Sequence, residues 1–348
     1  MDIKSALSVL LNHQSLRPEA MQSVMERLMR GEATPAQIGG FLVALRAKGE
    51  TVEEVVAAVE VIRRMATPID IACPHLVDTC GTGGDGAETF NISTAAALVA
   101  AAAGATIAKH GSRSVSSRSG SADVLEAAGV RLDLDVATLK AAIEEIGIGF
   151  LFAPNHHAAM RHVAGPRREL GIRTLFNLLG PLTNPAGAKR QVIGVYAKSW
   201  VPLIAEALKR LGSVHALVVH AEDGLDEISL AAPTSVAELK NGEIRLLSLT
   251  PEALGLTTSS LETLKVQSAA ESLALIQKVF AGVRGPAFDI VAANAGAAIY
   301  VAGLVPDLRT GVERAAACLI DGSAQRKLEA LIHFSATRVA AESAPLPL

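Results

Sequence analysis

The sequence predicts an α/β protein in two parts, a small all-helical N-terminal domain and a larger α/β domain built on a central, mainly parallel sheet. Three observations carry this. A chain of 348 residues has the length for two domains and for a core that needs no covalent staples. Its first seventy residues show helical periodicity and no strand pattern. After Pro74 short apolar strands alternate with helices.

In the N-terminal part, residues 18–30 carry an apolar helical stripe (Met21, Val24, Met25, Leu28) that Gly31 stops. Thr34-Pro35 supplies an N-cap and a first turn for a second helix, which Gly49 closes. Thr51 and Glu54 form a capping box for a third, running to about Ala66 before Pro68. Gly39-Gly40 inside the second helix costs about 1 kcal/mol per glycine unless another backbone comes close. Helix contact within the domain accounts for it; a dimer interface is the alternative.

Beyond Pro74, strands are expected at 76–78, 105–108, 192–197 and 216–219, with a late one near 244–247. Helices are expected at 94–103, 122–128, 137–146 and 201–211, another from the Ser268/Glu271 box, and more after Gly285. Residues 165–185 hold two Gly-Pro steps and an Asn-Pro step around an apolar stretch, the pattern of a connection crossing between domains.

Composition narrows the function classes. Lys and Arg total 32 against 35 Asp and Glu, a net −3 with pI near 6.3, which is no basic footprint for nucleic acid or anionic lipid. Aromatic residues are 3%, too few for base-stacking platforms. Cys73, Cys80 and Cys318 form no metal-ligand spacing and no paired framework, as in a reducing compartment. The apolar run 95–108 is too short to span a bilayer and the N-terminus lacks a signal-peptide pattern, so the expected location is the cytoplasm.

Four segments carry chemistry. Gly81-Thr82-Gly83-Gly84-Asp85-Gly86 lies between a strand and a helix and matches the dinucleotide fingerprint literally. The next strand, however, ends in Lys109-His110 where that fingerprint wants an acid, and residues 88–92 separate the glycines from the helix. No Gly-Lys-Ser/Thr follows for a P-loop. Convergent backbone N–H groups and a helix N-terminus at Asn91-Ile92-Ser93-Thr94 still suit a phosphorylated ligand. A tight strand-to-helix turn is the bland alternative.

Residues 109–121 hold Lys109, Arg113, Arg118 and six serines with no acid among them, a cradle for several phosphate oxygens. Glu222, Asp223, Asp226 and Glu227 crowd six positions and call for solvent or a cation; near phosphates, Mg²⁺ fits. The histidines at 156, 157 and 162 lack acids at zinc spacing. Arg167 could fork onto a substrate carboxylate, although its own residues read more simply as a surface pair with Glu169.

The order Asp78-Thr-Cys-Gly-Thr-Gly-Gly-Asp-Gly86, Asn91-Ile-Ser-Thr94, Lys109-His-Gly-Ser-Arg113, Ser119-Gly-Ser-Ala-Asp123, the 171–185 segment and Asp226-Glu227 closely resembles the anthranilate phosphoribosyltransferases. The resemblance runs the length of the chain. It implies the nucleoside phosphorylase/phosphoribosyltransferase-like architecture, with residues 1–70 plus about 165–185 as the helical domain and 71–164 with 186–348 as the α/β domain. It also implies a homodimer through the helical domain and transfer of phosphoribose from phosphoribosyl pyrophosphate (PRPP) to the amine of anthranilate, the second step of tryptophan biosynthesis from chorismate.

By the same resemblance, Gly81, Gly84, Asp85, Thr89, Asn91, Ile92, Ser93, Thr94, Lys109, His110, Gly111, Ser112, Arg113, Ser114, Val115, Ser116, Ser117 and Ser121 would bind PRPP. Gly81, Ser112, His157, Arg167, Gly180 and Pro181 would bind anthranilate. Ser93, Asp226 and Glu227 would hold Mg²⁺, two ions per subunit. Lys109 and His110 are candidates for electrostatic catalysis, with no dedicated base required. The family has Asn where this chain has Ser112, a shorter group without the amide's paired donor and acceptor. A pyrimidine nucleoside phosphorylase and a nucleic-acid-binding paralogue are the alternatives; residues 109–121 and the net charge argue against each in turn. The cationic 109–121 loop and the acidic 222–227 turn are expected to face one Mg-pyrophosphate group.

Overall fold

A computed structural model describes residues 1–73, 75–114 and 118–342, the last five as backbone only. Four helices open the chain: α1 (Ile3–Leu11), α2 (Pro18–Arg30), α3 (Pro35–Lys48) and α4 (Val52–Met65). The expected caps form. The Thr34 and Thr51 hydroxyls accept from the N–H groups of Gln37 and Glu54, whose side chains accept in return. Gly31 closes α2 in the left-handed region (φ 74°). Helix α1, capped by Asp2, was not anticipated, because its buried set of Ile3, Ala6 and Leu10 is only two turns long. A Cβ on Gly39 would come within 4.0 Å of Leu170 and one on Gly40 within 3.7 Å of Leu7, ordinary contact distances, so no close helix approach in the described chain requires either glycine.

The remainder is built on β1 (Leu76–Gly81), β2 (Thr106–Gly111), β3 (Ile148–Phe152), β4 (Arg190–Gly194), β5 (His215–Ala221), β6 (Thr234–Lys240) and β7 (Glu243–Leu249). They form one sheet in the order β3-β2-β1-β4-β5-β6-β7, parallel through β5 and antiparallel beyond it. Helices α5 (Ile92–Ala102), α6 (Ser121–Ala127) and α7 (Val136–Ile146) link the first strands. Next come α8 (Ala153–His156), α9 (Arg161–Leu170) and α10 (Leu175–Leu179), then α11 (Trp200–Arg210) after β4. The chain ends in α12 (Ala269–Phe280), α13 (Pro286–Val301), α14 (Leu308–Ile320) and α15 (Ser323–Glu342).

Two of the seven strands, β3 and β6, escaped the sequence reading. Strand β3 follows Gly147 without a Pro or Asn break, and β6 alternates buried and half-exposed residues among polar ones. The segment 165–185 is mostly helical rather than a plain connection, and its helical run begins at Arg161. Val163, Leu175, Phe176, Leu178, Leu179 and Leu182 are buried with α1–α4 in one apolar cluster. That cluster continues through α11 to the near face of β4 and β5, while α5 and α13 cover the other face. Helices α13 and α14 cross where a Cβ on Gly296 would be 2.5 Å from the Val312 nitrogen, so the contact admits only glycine. Strand order reverses about β1, which lies between β2 and β4; the crevice at the C-terminal strand ends there is where ligands of open α/β sheets gather.

Candidate active site

The turn after β5 is pressed onto the ends of β1 and β4. A Cβ on Gly81 would stand 2.3 Å from Asp226 Oδ2, and one on Gly194 would stand 1.5 Å from the Asp226 carbonyl oxygen. Glycine at both strand ends therefore lets the acidic turn close over them. Asp226 Oδ2 accepts from the Gly83 N–H at 2.8 Å, which fixes the glycine-rich loop to the carboxylate. Asp85 lies alongside, its Oδ2 3.5 Å from the Asp226 nitrogen and its Oδ1 accepting from the Ala87 N–H at 3.2 Å.

Asp226 is pushed up to about 7, chiefly by burial and then by the charge of Asp85. Glu227 is pushed up to about 8 by burial and by Asp226; Lys109 and the Ser93 backbone N–H work against that rise. The Glu227 residue is not fully enclosed, so it meets solvent at the crevice. The two other acids of the turn point elsewhere. Glu222 pairs with Lys198 at 3.4 Å, and Asp223 accepts from the Ser229 hydroxyl and the Leu225 N–H. Of the four acids of the turn, Asp226 and Glu227 are the two on the side of the glycine-rich loop and Lys109.

Lys109 is buried, and its ammonium donates to the Thr79 carbonyl at 2.5 Å and to Ser93 Oγ at 3.4 Å. The opening it occupies is made by Asp78. Ladder pairing of β1 with β2 stops at Val77↔Ile107, and beyond it the Asp78 carboxylate accepts the His110 N–H at 3.1 Å in place of a backbone carbonyl. Asp78 is fully buried and pushed up by that burial. Neither Asp78 nor Thr79 was singled out from the sequence; a carboxylate inside an apolar strand was the available signal.

In the second loop, local composition misled. Arg113 pairs with Asp123 and Glu126 of α6 and lies over the Phe152 ring, and Arg118 pairs with Glu88 at 3.1 Å. Both cations are thus neutralised by acids from neighbouring segments, which leaves Lys109 as the loop's buried charge. Asp123 also accepts from the Ser114 and Gly120 N–H groups, and the Ser112 carbonyl accepts from the Ala122 N–H and the Ser121 hydroxyl. Gly111 is forced, since its Cβ would meet Ser121 Oγ at 2.2 Å. Val115, Ser116 and Ser117 lie outside the described residues. Asn91 ties both loops to α12: its Oδ1 accepts from the Ser119 and Ser272 hydroxyls and its Nδ2 donates to the Ser119 carbonyl. Thr89 bridges Lys265 as an isolated strand pair; Ile92 and Thr94 are buried at the start of α5.

On the helical side of the crevice, the His110 and His157 rings meet edge to face at 5.1 Å, and His110 Nδ1 lies 3.2 Å from the Gly180 carbonyl. Burial, with His157 beside it, holds His110 down at about 3, and burial holds His157 at about 4. Burial thus opposes a positive charge on His110, and the fixed cation beside the crevice is Lys109. The Pro181 carbonyl accepts from Gln191 Nε2 at 2.8 Å. Arg167 does not pair with Glu169; its guanidinium lies 5.0 Å from the Phe176 ring centre, half-buried and with no ion pair among the described residues. Among the described residues no three His, Cys, Asp or Glu side chains form a metal cage.

Comparison with known proteins decides what this crevice belongs to. The helical-bundle domain of a glycosyl transferase family matches residues 4–66, and the a/b domain of that family matches residues 73–325. The anthranilate phosphoribosyltransferase of Methylococcus capsulatus is 59% identical over 335 residues, 96% of this chain and 98% of the relative. The chain belongs to the anthranilate phosphoribosyltransferase family. The crystal structure of the family member from Thermus thermophilus matches with a TM-score of 0.90 at 46% identity, covering 95% of this chain and 99% of that one. The Saccharomyces cerevisiae anthranilate phosphoribosyltransferase in complex with PRPP and Mg matches with a TM-score of 0.88 at 27% identity, covering 96% and 98%. As a member of the anthranilate phosphoribosyltransferases the chain is an enzyme, a glycosyltransferase, and the matches support this reading over the phosphorylase and nucleic-acid-binding alternatives.

Proposed function

We propose that the chain transfers the phosphoribosyl group of PRPP to the amine of anthranilate, giving N-(5-phosphoribosyl)anthranilate and pyrophosphate. The observation that carries the reading is the Asp226–Glu227 pair, Asp226 buried against the glycine-rich loop and Glu227 half-buried within the influence of Lys109. Two adjacent carboxyls, each disfavoured as an anion by burial and by the charge beside it, suit a divalent ion, and Mg²⁺ takes one or two protein carboxylates and completes its shell with water and phosphate oxygens. Asp226, Glu227 and the Ser93 hydroxyl would hold it. We propose two ions per subunit, because a pyrophosphate carries more charge than one divalent ion offsets. When bound, Mg²⁺ supplies charge stabilisation to the departing pyrophosphate.

The chain's own residues do the rest. Backbone N–H groups of the 81–86 loop and the start of α5 face the phosphates, and Lys109 adds a fixed positive charge. The C1–O bond to pyrophosphate breaks through an oxocarbenium-like transition state. The anthranilate nitrogen then bonds to C1 and releases its proton to solvent. Gly81, Ser112, His157, Arg167, Gly180 and Pro181 would bind anthranilate: the His157 imidazole suits an aromatic amine, and Arg167, without an ion pair among the described residues, suits its carboxylate. Closure of the crevice would exclude water that otherwise hydrolyses the activated ribose.

We also propose that residues 1–70 with about 165–185 form the helical domain and 71–164 with 186–348 the α/β domain. Exposed Leu11 and Val43 on α1 and α3 support a homodimer through the helical part. No helix among the described residues is long and apolar enough to cross a membrane, in keeping with a cytoplasmic location. The test is the fall of anthranilate fluorescence when PRPP and Mg²⁺ are added. Constant fluorescence with folded protein ends the reading.

A further inference from the structure

The anion that the crevice is proposed to take exceeds the positive charge described so far. Asp85, Asp226 and Glu227 stand in it, Lys109 is its buried cation, and Arg113 and Arg118 are already paired. One further cation reaches it from the helical side. Arg173, in the turn between α9 and α10, extends to the glycine-rich loop: a Cβ on Gly84 would lie 3.3 Å from its Nε and 3.7 Å from its Nη2. Gly84 has φ +75°, so both its conformation and this neighbour favour glycine. Arg173 is exposed and has no carboxylate partner among the described residues.

An aromatic ring holds it instead. The Arg173 Cζ lies 4.4 Å from the centre of the Tyr196 ring. Tyr196 packs edge to face on Trp200 at 6.4 Å, and Arg46 covers the Trp200 ring at 5.9 Å. The Tyr196 backbone N–H donates to Thr82 Oγ1 at 3.1 Å, so the platform is fastened to the same loop that Arg173 overhangs. A guanidinium seated on a ring face keeps its in-plane N–H donors open, whereas one paired with a carboxylate spends them.

We infer that Arg173 is an anion clamp for the pyrophosphate end of PRPP, with Tyr196 as its positioning residue. The inference rests on the function proposed above and adds to it a contact from the helical side to the leaving group. Loss of one charge-assisted, forked contact of this kind weakens anion binding by about tenfold.

The test compares the full-length protein with its Arg173→Gln, Arg173→Lys and Tyr196→Leu variants. Inorganic pyrophosphate with Mg²⁺ is titrated calorimetrically into each, and KM values are measured for both substrates. Arg173→Gln is expected to weaken pyrophosphate binding and raise the PRPP KM by about tenfold each, with the anthranilate KM unchanged. Arg173→Lys should recover part of the loss, and Tyr196→Leu should lose less than Arg173→Gln. Because Arg173 is exposed, its two substitutions should leave the thermal midpoint in place, whereas Tyr196→Leu, at a buried ring packed on Trp200, should lower it. Pyrophosphate affinity within twofold of wild type in Arg173→Gln would overturn the clamp. Wild-type protein that binds pyrophosphate more tightly than Arg173→Gln yet never consumes anthranilate would support the clamp and overturn the functional reading.

Discussion

Gly81 at the end of β1 and Asp226 after β5 are fitted so closely that a single methyl on the glycine would stand 2.3 Å from the Asp226 carboxylate oxygen. The Gly83 N–H holds that same oxygen at 2.8 Å. Gly81→Ala must therefore move the carboxylate, the loop or both. Overpacking of this kind costs about 1–3 kcal/mol, and a shift of about 1 Å in a positioned group costs about a hundredfold in rate. Turnover should fall by about that factor while circular dichroism stays native, measured by anthranilate fluorescence. Turnover within a few-fold of wild type would show that the Asp226 position does not govern the reaction.

Replacing both carboxylates separates their charge from their shape. Asp226→Asn with Glu227→Gln keeps the volume and removes the anions, so turnover should fall by about a thousandfold or more even at saturating Mg²⁺. Wild-type-like turnover in that double variant would remove the metal assignment.

The same pair makes stability depend on pH. In the fold, burial and the charges crowded beside them raise both carboxyls toward neutral pH, above the ordinary 3.8 and 4.5. Between those limits the folded chain binds more protons than the unfolded one, so this contribution to stability falls as pH rises. Without metal, the thermal midpoint should drop more between about pH 5.5 and about pH 8.5 for wild type than for Asp226→Asn/Glu227→Gln. Added Mg²⁺ should raise the wild-type midpoint more at the higher pH, since it replaces protons that have left. Equal drops in both proteins would refute the coupling.

Glu54 anchors the helical part. Fully buried, it accepts from the N–H groups of Leu16 and Thr51 and pairs with Lys48 at 2.6 Å. Removing one partner of a buried ion pair strands the other, at about 3–5 kcal/mol. Glu54→Ala should lose about that much in urea unfolding, far more than loss of the exposed Arg245–Glu243 pair, for which no measurable loss is expected.

Ser112 stands in a loop whose backbone is engaged by α6 while its hydroxyl has no partner in the described structure. Ser112→Asn should lower the anthranilate KM or leave it unchanged, with the PRPP KM within twofold of wild type. A large change confined to PRPP would contradict the placement of residue 112 on the anthranilate side.

Helical caps, the alternation of strand and helix and the order of the glycine-rich, cationic and acidic segments are each written in residues a few positions apart. Turn chemistry and helix caps are local, so Thr34, Thr51 and the loop glycines were legible. Strands β3 and β6 were not, since buried pairing rather than local periodicity defines them. Which charges stay available depends on how distant segments come together. Arg113 and Arg118 are cancelled by Asp123, Glu126 and Glu88, Glu222 and Asp223 turn outward, and Arg173 arrives from the helical side with no acid partner among the described residues. Net charge counts residues wherever they stand in the chain; the field at the crevice depends on distances and burial, which the folded chain alone sets.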